Sequence, residues 1–294
     1  MDVILAKSAG FCFGVKRAVD LVNEKIEEGG TIYTLGPIIH NEEVVKDLAA
    51  KGVRILAYKE DGFCDQDSGL PLTEEELKSA TVIIRSHGVE KEVFEKLQKA
   101  GAAIADATCP FVKKIHNIVS EESEKGKRIV IVGDASHPEV QGICSYCKQT
   151  PVVMQTKEEA ENLTVSDGES ICIVAQTTAN YNKFQELVEI LSEKAYDVCC
   201  VNTICNATAT RQQEAQRIAA TVGCMIVIGG THSSNSRKLY EICSKECENT
   251  YFIQTLDDLH LDLPKSVKSV GITAGASTPN NIIEEVQSHV RTIF

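Results

Sequence analysis

The chain has 294 residues, 43% of them hydrophobic and only 5% aromatic, with no Trp, twelve Cys and a formal net charge of −12. This is ample apolar content for sheets cored by Val, Ile, Leu and Ala, and the acidic balance argues against nucleic acid or an anionic membrane as partner. No apolar stretch approaches a membrane-spanning helix, and the opening run Met1 to Ala9 is too short for a secretory signal. Twelve cysteines without export read as reduced thiols or metal ligands in a cytoplasmic protein.

In chain order, strand-like runs alternate with helical patterns, which predicts an α/β fold with parallel sheets. Strands are expected at 3–7, 31–35, 54–57 and 81–85, then 102–105, 128–132, 151–154 and 170–175, and finally 197–201, 225–228, 251–254 and 269–273. Helices are expected at 15–28, 90–99, 112–124, 183–194, 208–221 and 281–292. The segment 58–72, with two Gly, one Pro and four acidic residues, reads as a surface insertion ahead of a capping-box helix start at Thr73-Glu74-Glu75-Glu76.

A repeat underlies this alternation. Cys12, Cys109 and Cys205 are almost evenly spaced, each where a strand-like run gives way to a helical pattern. Twenty-eight residues beyond each lie His40, His137 and Ser233; some seventy beyond lie the polar strand ends around His87, Thr177 and Ser277. Ligands of open α/β sheets collect at the carboxyl ends of strands, so one unit used three times would direct nine polar groups at one centre.

Thiols at helix N-termini are placed to carry negative charge. A tetrahedral structural zinc normally wants four protein ligands in short-spaced pairs, whereas these three cysteines are about a hundred residues apart. A [4Fe–4S] cluster fits better, since three cysteines hold three irons and leave the fourth open to substrate. The bland alternative is three ordinary buried cysteines. Of the other nine, Cys172, Cys199, Cys200 and Cys224 read as core, Cys243 and Cys247 as one face of a helix, Cys64 as part of the insertion, and the Cys144-x-x-Cys147 pair as helical packing. His40, His87 and His137, with Ser233, Asn235, Ser277 and Thr177, form a set of donors suited to a phosphate group. No Walker loop or Gly-x-Gly-x-x-Gly appears, against a nucleotide. Glu139 is the carboxylate tied to this constellation and the candidate proton donor.

With these residues in place, the sequence resembles the LytB family of 4-hydroxy-3-methylbut-2-enyl diphosphate reductases from end to end. The resemblance rests on Gly10-Phe11-Cys12-Phe13-Gly14-Val15, Gly36-Pro37-Ile38-Ile39-His40-Asn41, Ser86-His87-Gly88-Val89, Asp106-Ala107-Thr108-Cys109-Pro110, His137-Pro138-Glu139-Val140, Gln176-Thr177-Thr178, Ser233-Ser234-Asn235-Ser236 and Ala274-Gly275-Ala276-Ser277. His232 and the long 58–72 segment depart from the pattern, away from any candidate catalytic position. The resemblance implies three α/β units, each with a mainly parallel four-stranded sheet, around a pseudo-threefold axis with a central iron–sulfur cluster. The units would be 14–109, 110–201 and 202–294, the last completed by residues 1–13. It further implies one [4Fe–4S] cluster on Cys12, Cys109 and Cys205. His40, His87, His137, Thr177, Ser233, Ser234, Asn235 and Ser277 would bind the diphosphate substrate, and Glu139, His137 and Thr177 would serve catalysis. The expected reaction is reductive removal of the substrate hydroxyl to give isopentenyl and dimethylallyl diphosphate, the last step of the non-mevalonate isoprenoid pathway. Electrons would come from a partner such as ferredoxin or flavodoxin.

Two rivals remain at this level. An enzyme of the quinolinate synthase type also joins three α/β units to a three-cysteine cluster, although the His-Pro-Glu and Ser-Ser-Asn motifs count against it. A cofactor-free cysteine racemase would be colourless on anaerobic purification.

Overall fold

The structure, a computed structural model, describes residues 2–59, 62–195, 197–261 and 267–293. In chain order the elements are β1 Asp2–Leu5, α1 Phe13–Glu28, β2 Thr31–Leu35, α2 Glu42–Ala50, β3 Arg54–Lys59, β4 Gly62–Asp65, α3 Glu74–Ser79, β5 Ala80–Ile84, α4 Lys91–Lys99, β6 Ala103–Asp106 and α5 Pro110–Glu124. There follow β7 Arg128–Val132, α6 Pro138–Ser145, β8 Val152–Met154, α7 Lys157–Asn162, β9 Ser170–Ala175, α8 Tyr181–Ser192 and β10 Asp197–Cys200. The last are α9 Asn206–Ala219, β11 Cys224–Ile228, α10 Ser234–Glu246, β12 Thr250–Ile253, β13 Ser269–Ala274 and α11 Asn280–Ile293.

The helices form where apolar residues recur at helical spacing. Val15, Ala18 and Val22 are buried on α1, Val112, Ile115 and Val119 on α5, and Ile282, Ile283, Val286 and Val290 on α11. The central strands instead are continuous apolar runs: every residue of Cys224–Ile228 is buried, and so are Ile129 to Val132. Such runs belong to parallel sheets covered on both faces.

Three sheets result, with one strand order repeated: β6-β5-β2-β3, β10-β9-β7-β8 and β1-β13-β11-β12. In the third, β1 from the start of the chain pairs parallel with β13 near its end. At the end of each central strand a glycine N–H reaches across to the next strand: Gly36 to Leu56 O at 2.9 Å, Gly133 to Met154 O at 3.0 Å and Gly229 to Ile253 O at 2.8 Å. The likeness among the three sequence segments is thus a likeness of local topology.

The first of these sheets departs from the four-stranded expectation. It carries a fifth strand, β4, antiparallel to β3, and β4 lies within the segment read as a surface insertion. Phe63, Cys64 and Asp65 are buried there, and Phe63 joins the core with Tyr33, Leu35 and Leu56. The antiparallel strand extends the sheet edge and adds an aromatic side chain to its core. The capping box at Thr73 and Glu76 forms as expected.

By contacts the chain divides into two compact units. Residues 1–16, 39–46 and 205–294 contain the sheet β1-β13-β11-β12; residues 17–38 and 47–204 contain the other two. Among the described residues no helix is long and apolar enough to cross a membrane.

Candidate functional site

The first unit gathers Cys12, His40, Cys205, Ser233, Ser234, Asn235 and Ser277 at strand–helix junctions. Cys205 is the N-cap residue of α9 and makes no side-chain capping bond. Cys12 stands just before α1, its N–H on Ala276 O at 3.1 Å and its carbonyl accepting from Lys16 N–H at 2.9 Å. One buried side chain ties the two cysteine segments together. Arg211 of α9 donates Nε to Ser8 O at 2.8 Å and a terminal nitrogen to Gly10 O at 2.7 Å. Burial lowers its pKa, opposed by the nearby Cys12 and Cys205 thiols and Glu214. Glu214 completes the clamp, accepting from Lys7 N–H and from the Ser8 N–H and hydroxyl.

Ser277 Oγ donates to His40 O at 3.0 Å, fixing the backbone that presents this histidine. Ser233 caps α10 by accepting from Ser236 N–H. Ser236 in turn fits only because residues 229 and 275 are glycines, since a Cβ at either would collide with its hydroxyl. Asn235, in the first turn of α10, is 4% exposed with neither side-chain Nδ2 nor Oδ1 hydrogen-bonded. A buried amide in that condition is costly by itself and suits a polar ligand. His232, outside the family pattern, is exposed beside Glu42 at 3.7 Å.

The second unit gathers His87, Cys109, His137, Glu139 and Thr177. Cys109 is the N-cap of the 15-residue helix α5, again without a side-chain capping bond and with Pro110 following. Its N–H rests on Ser86 O at 3.0 Å, so the Ser86-His87-Gly88 turn and the cysteine are one assembly. That turn needs φ +73° at Gly88, where a Cβ would also press on His116. Arg17 of α1 holds the approach to Cys109 by donating to Asp106 O and Thr108 O, both at 3.1 Å. Arg17 and Arg211 thus do the same work before different cysteines.

His87 and His137 meet edge to face, their ring centroids 5.4 Å apart. His137 is the N-cap of α6, its Nδ1 accepting from Glu139 N–H at 3.1 Å. The proton of the neutral ring is therefore on Nε2, leaving that nitrogen a donor. Burial brings the His137 pKa down to about 4, with Asp134 opposing and Arg85 reinforcing the shift. Glu139 is 1% exposed and receives two bonds from Thr177, from N–H to Oε1 and from Oγ1 to Oε2, both at 2.7 Å. Burial raises its pKa and the two Thr177 bonds hold it back. A carboxyl of raised proton affinity in a fixed orientation is what proton delivery requires.

The sequence pointed to the histidines, cysteines and Glu139, but not to Arg211 or Arg17. Cys144 and Cys147 pack in a hydrophobic cluster, and burial pushes the Cys144 thiol up and the Cys147 thiol up to about 12. No cysteine forms a disulfide. A further group that could hold a metal, Glu122, Cys172 and Cys199, has its ligand atoms within 4.8 Å of one another.

Fold and side chains together define an α/β protein of the enzyme type, presenting thiols, neutral imidazoles and a buried carboxyl from the carboxyl ends of parallel strands. Comparison with known proteins makes this specific. The chain belongs to the LytB family, whose model, described as LytB protein, matches residues 3–291. It is 45% identical to the 4-hydroxy-3-methylbut-2-enyl diphosphate reductase of Caldanaerobacter subterraneus subsp. tengcongensis, covering 100% of this chain and 98% of the relative. It is 42% identical to that of Clostridioides difficile, covering 100% of both. A solved (E)-4-hydroxy-3-methyl-but-2-enyl diphosphate reductase, the terminal enzyme of the non-mevalonate pathway, is similar with a TM-score of 0.67 and 42% identity, over 99% of this chain and 100% of that one. The E-1-hydroxy-2-methyl-but-2-enyl-4-diphosphate reductase of Plasmodium falciparum is similar with a TM-score of 0.87 and 25% identity, over 99% and 87%.

Proposed function

We propose that this chain catalyses the reductive dehydroxylation of 4-hydroxy-3-methylbut-2-enyl diphosphate to isopentenyl and dimethylallyl diphosphate, as an iron–sulfur oxidoreductase at the last step of the non-mevalonate pathway. The observation that carries this reading is end-to-end identity of 42–45% with reductases of that name, with every quoted motif sitting at a strand–helix junction. Two electrons and two protons enter, the substrate C–O bond breaks, and the hydroxyl leaves as water. A small electron carrier, ferredoxin or flavodoxin, would supply the electrons.

Cys12, Cys109 and Cys205 would hold one [4Fe–4S] cluster, and their surroundings fit it. Cys109 and Cys205 are helix N-cap residues, and buried Arg211 sets a positive charge beside Cys12 and Cys205, where it would offset the negative charge of a thiolate-held cluster. Bound there, the cluster would pass electrons and offer an open iron as Lewis acid. The protein does the rest. His40, His87, His137, Ser233, Ser234, Asn235 and Ser277 would hold the diphosphate, with His137 donating from Nε2. Glu139, aligned by Thr177, would deliver the proton. Iron and sulfide analysis of anaerobically purified variants tests the assignment. Cys12→Ala, Cys109→Ala and Cys205→Ala should each lose or degrade the cluster, while Cys144→Ala with Cys147→Ala keeps it; a full cluster in Cys109→Ala would overturn the ligand set.

A further inference from the structure

Helix α5 begins at Cys109 and ends near Glu122, thirteen residues on, so the group Glu122, Cys172 and Cys199 lies ~20 Å along the helix from the proposed cluster ligand. It sits at the opposite, amino-terminal end of the second sheet. Cys172 and Cys199 are registered neighbours on the parallel strands β9 and β10, so their side chains share a face. That face packs on α5, where Ile115, Val119 and Glu122 recur at helical spacing. Cys172 is fully buried, while Cys199 and Glu122 are partly so.

We infer that Glu122, Cys172 and Cys199 form a second metal site, for a borderline-soft divalent cation of the zinc type, separate from the three-cysteine centre. All three ligand atoms lie within 4.8 Å of one another. A tetrahedral ion with Zn–S bonds near 2.3 Å spaces its ligands by about 3.8 Å, so small side-chain adjustments close the site, and solvent takes the fourth position. Two thiols with one carboxylate select zinc over calcium or magnesium, which prefer oxygen ligands. The charge also balances. Lys125 Nζ lies 2.6 Å and Lys127 Nζ 3.1 Å from Glu122, and Lys127 is also 3.8 Å from Asp197, so two thiolates and the Glu122 and Asp197 carboxylates offset one divalent ion and two ammoniums. Cys144 and Cys147 touch the same hydrophobic cluster but are not part of the group.

The test uses cluster-loaded protein, anaerobic so that the thiols stay reduced, mixed with zinc chloride, desalted and analysed for metals and by zinc K-edge absorption. The expected result is about one zinc per chain with unchanged iron, and a first shell with two sulfurs at about 2.3 Å. Cys199→Ala and Glu122→Gln should each weaken zinc retention more than about 100-fold, beyond the 10–100-fold typical of groups behind the ligands, with iron content and turnover at parental levels. Cys199 is on an edge strand and Glu122 on a helix surface, so at least one variant should fold. No retained zinc, zinc gained only as iron is lost, a Cys172–Cys199 disulfide in the anaerobic protein, or undiminished zinc in both variants would overturn the site.

Discussion

Replacing Glu139 by Gln separates chemistry from binding. The carboxyl is buried and takes both Thr177 bonds. The amide keeps its shape and one acceptor oxygen for the Thr177 N–H, while the Thr177 hydroxyl can rotate to accept from the new NH₂ group. Two carboxyl hydrogen bonds are exchanged for two amide bonds of similar geometry, each about 0.5–1.5 kcal/mol, so the variant should unfold within about 1 kcal/mol of the parent. It cannot deliver a proton. A positioned acid contributes typically 10²–10⁴-fold in rate, or about 3–5 kcal/mol, so turnover should fall by that factor. The three cysteines and the histidine cage are untouched, so cluster content should be normal and diphosphate affinity within about tenfold of the parent, ~1.4 kcal/mol. Single-turnover reduction and substrate titration on one anaerobic sample read both halves. A parental rate in Glu139→Gln would refute proton delivery; equal losses of affinity and rate would place Glu139 in binding.

Other outcomes follow from the same geometry. Arg211→Met should strand the Ser8 and Gly10 carbonyls and cost about 2–4 kcal/mol in chemical denaturation, and it should make a bound cluster harder to reduce by removing a nearby positive charge; an unchanged midpoint potential and stability would contradict the clamp. Burial holds His116 and His137 near pKa 4, below the ordinary 6.5. Their contribution is therefore complete above pH 6.5 and lost as pH falls toward 4, about 3 kcal/mol each. Urea unfolding at pH 7 and 4.5 should show the loss, with a smaller difference in His116→Gln. Phe63→Ala should destabilise by about 3 kcal/mol, whereas a truly peripheral insertion would tolerate it without a measurable change. Asn235→Ala should leave the unliganded protein as stable or more so while weakening diphosphate binding, which thermal melting with and without inorganic diphosphate would resolve.

The repeat was legible because each cysteine has the same neighbours in sequence that it has in space: a strand before it and an amphipathic helix after it. His137, Glu139 and Thr177 were legible for the same reason, lying where strands end. Strand β4 was not, since four residues in a segment full of Gly and Asp carry too little alternation, and only pairing with β3 buries Phe63. The arginines were hidden for another reason. Arg211 reads as one cation in a Gln-rich helix, and what makes it structural is a pair of carbonyls two hundred residues earlier in the chain. The Cys172 and Cys199 pair reads as two core residues until the register sets them side by side over α5.

The most direct test of the central claim is anaerobic turnover of 4-hydroxy-3-methylbut-2-enyl diphosphate by cluster-loaded protein with a chemical reductant, products resolved by mass spectrometry. Formation of isopentenyl and dimethylallyl diphosphate, abolished in Cys109→Ala, is the predicted result; a protein with a full cluster that leaves the substrate unconsumed would contradict it.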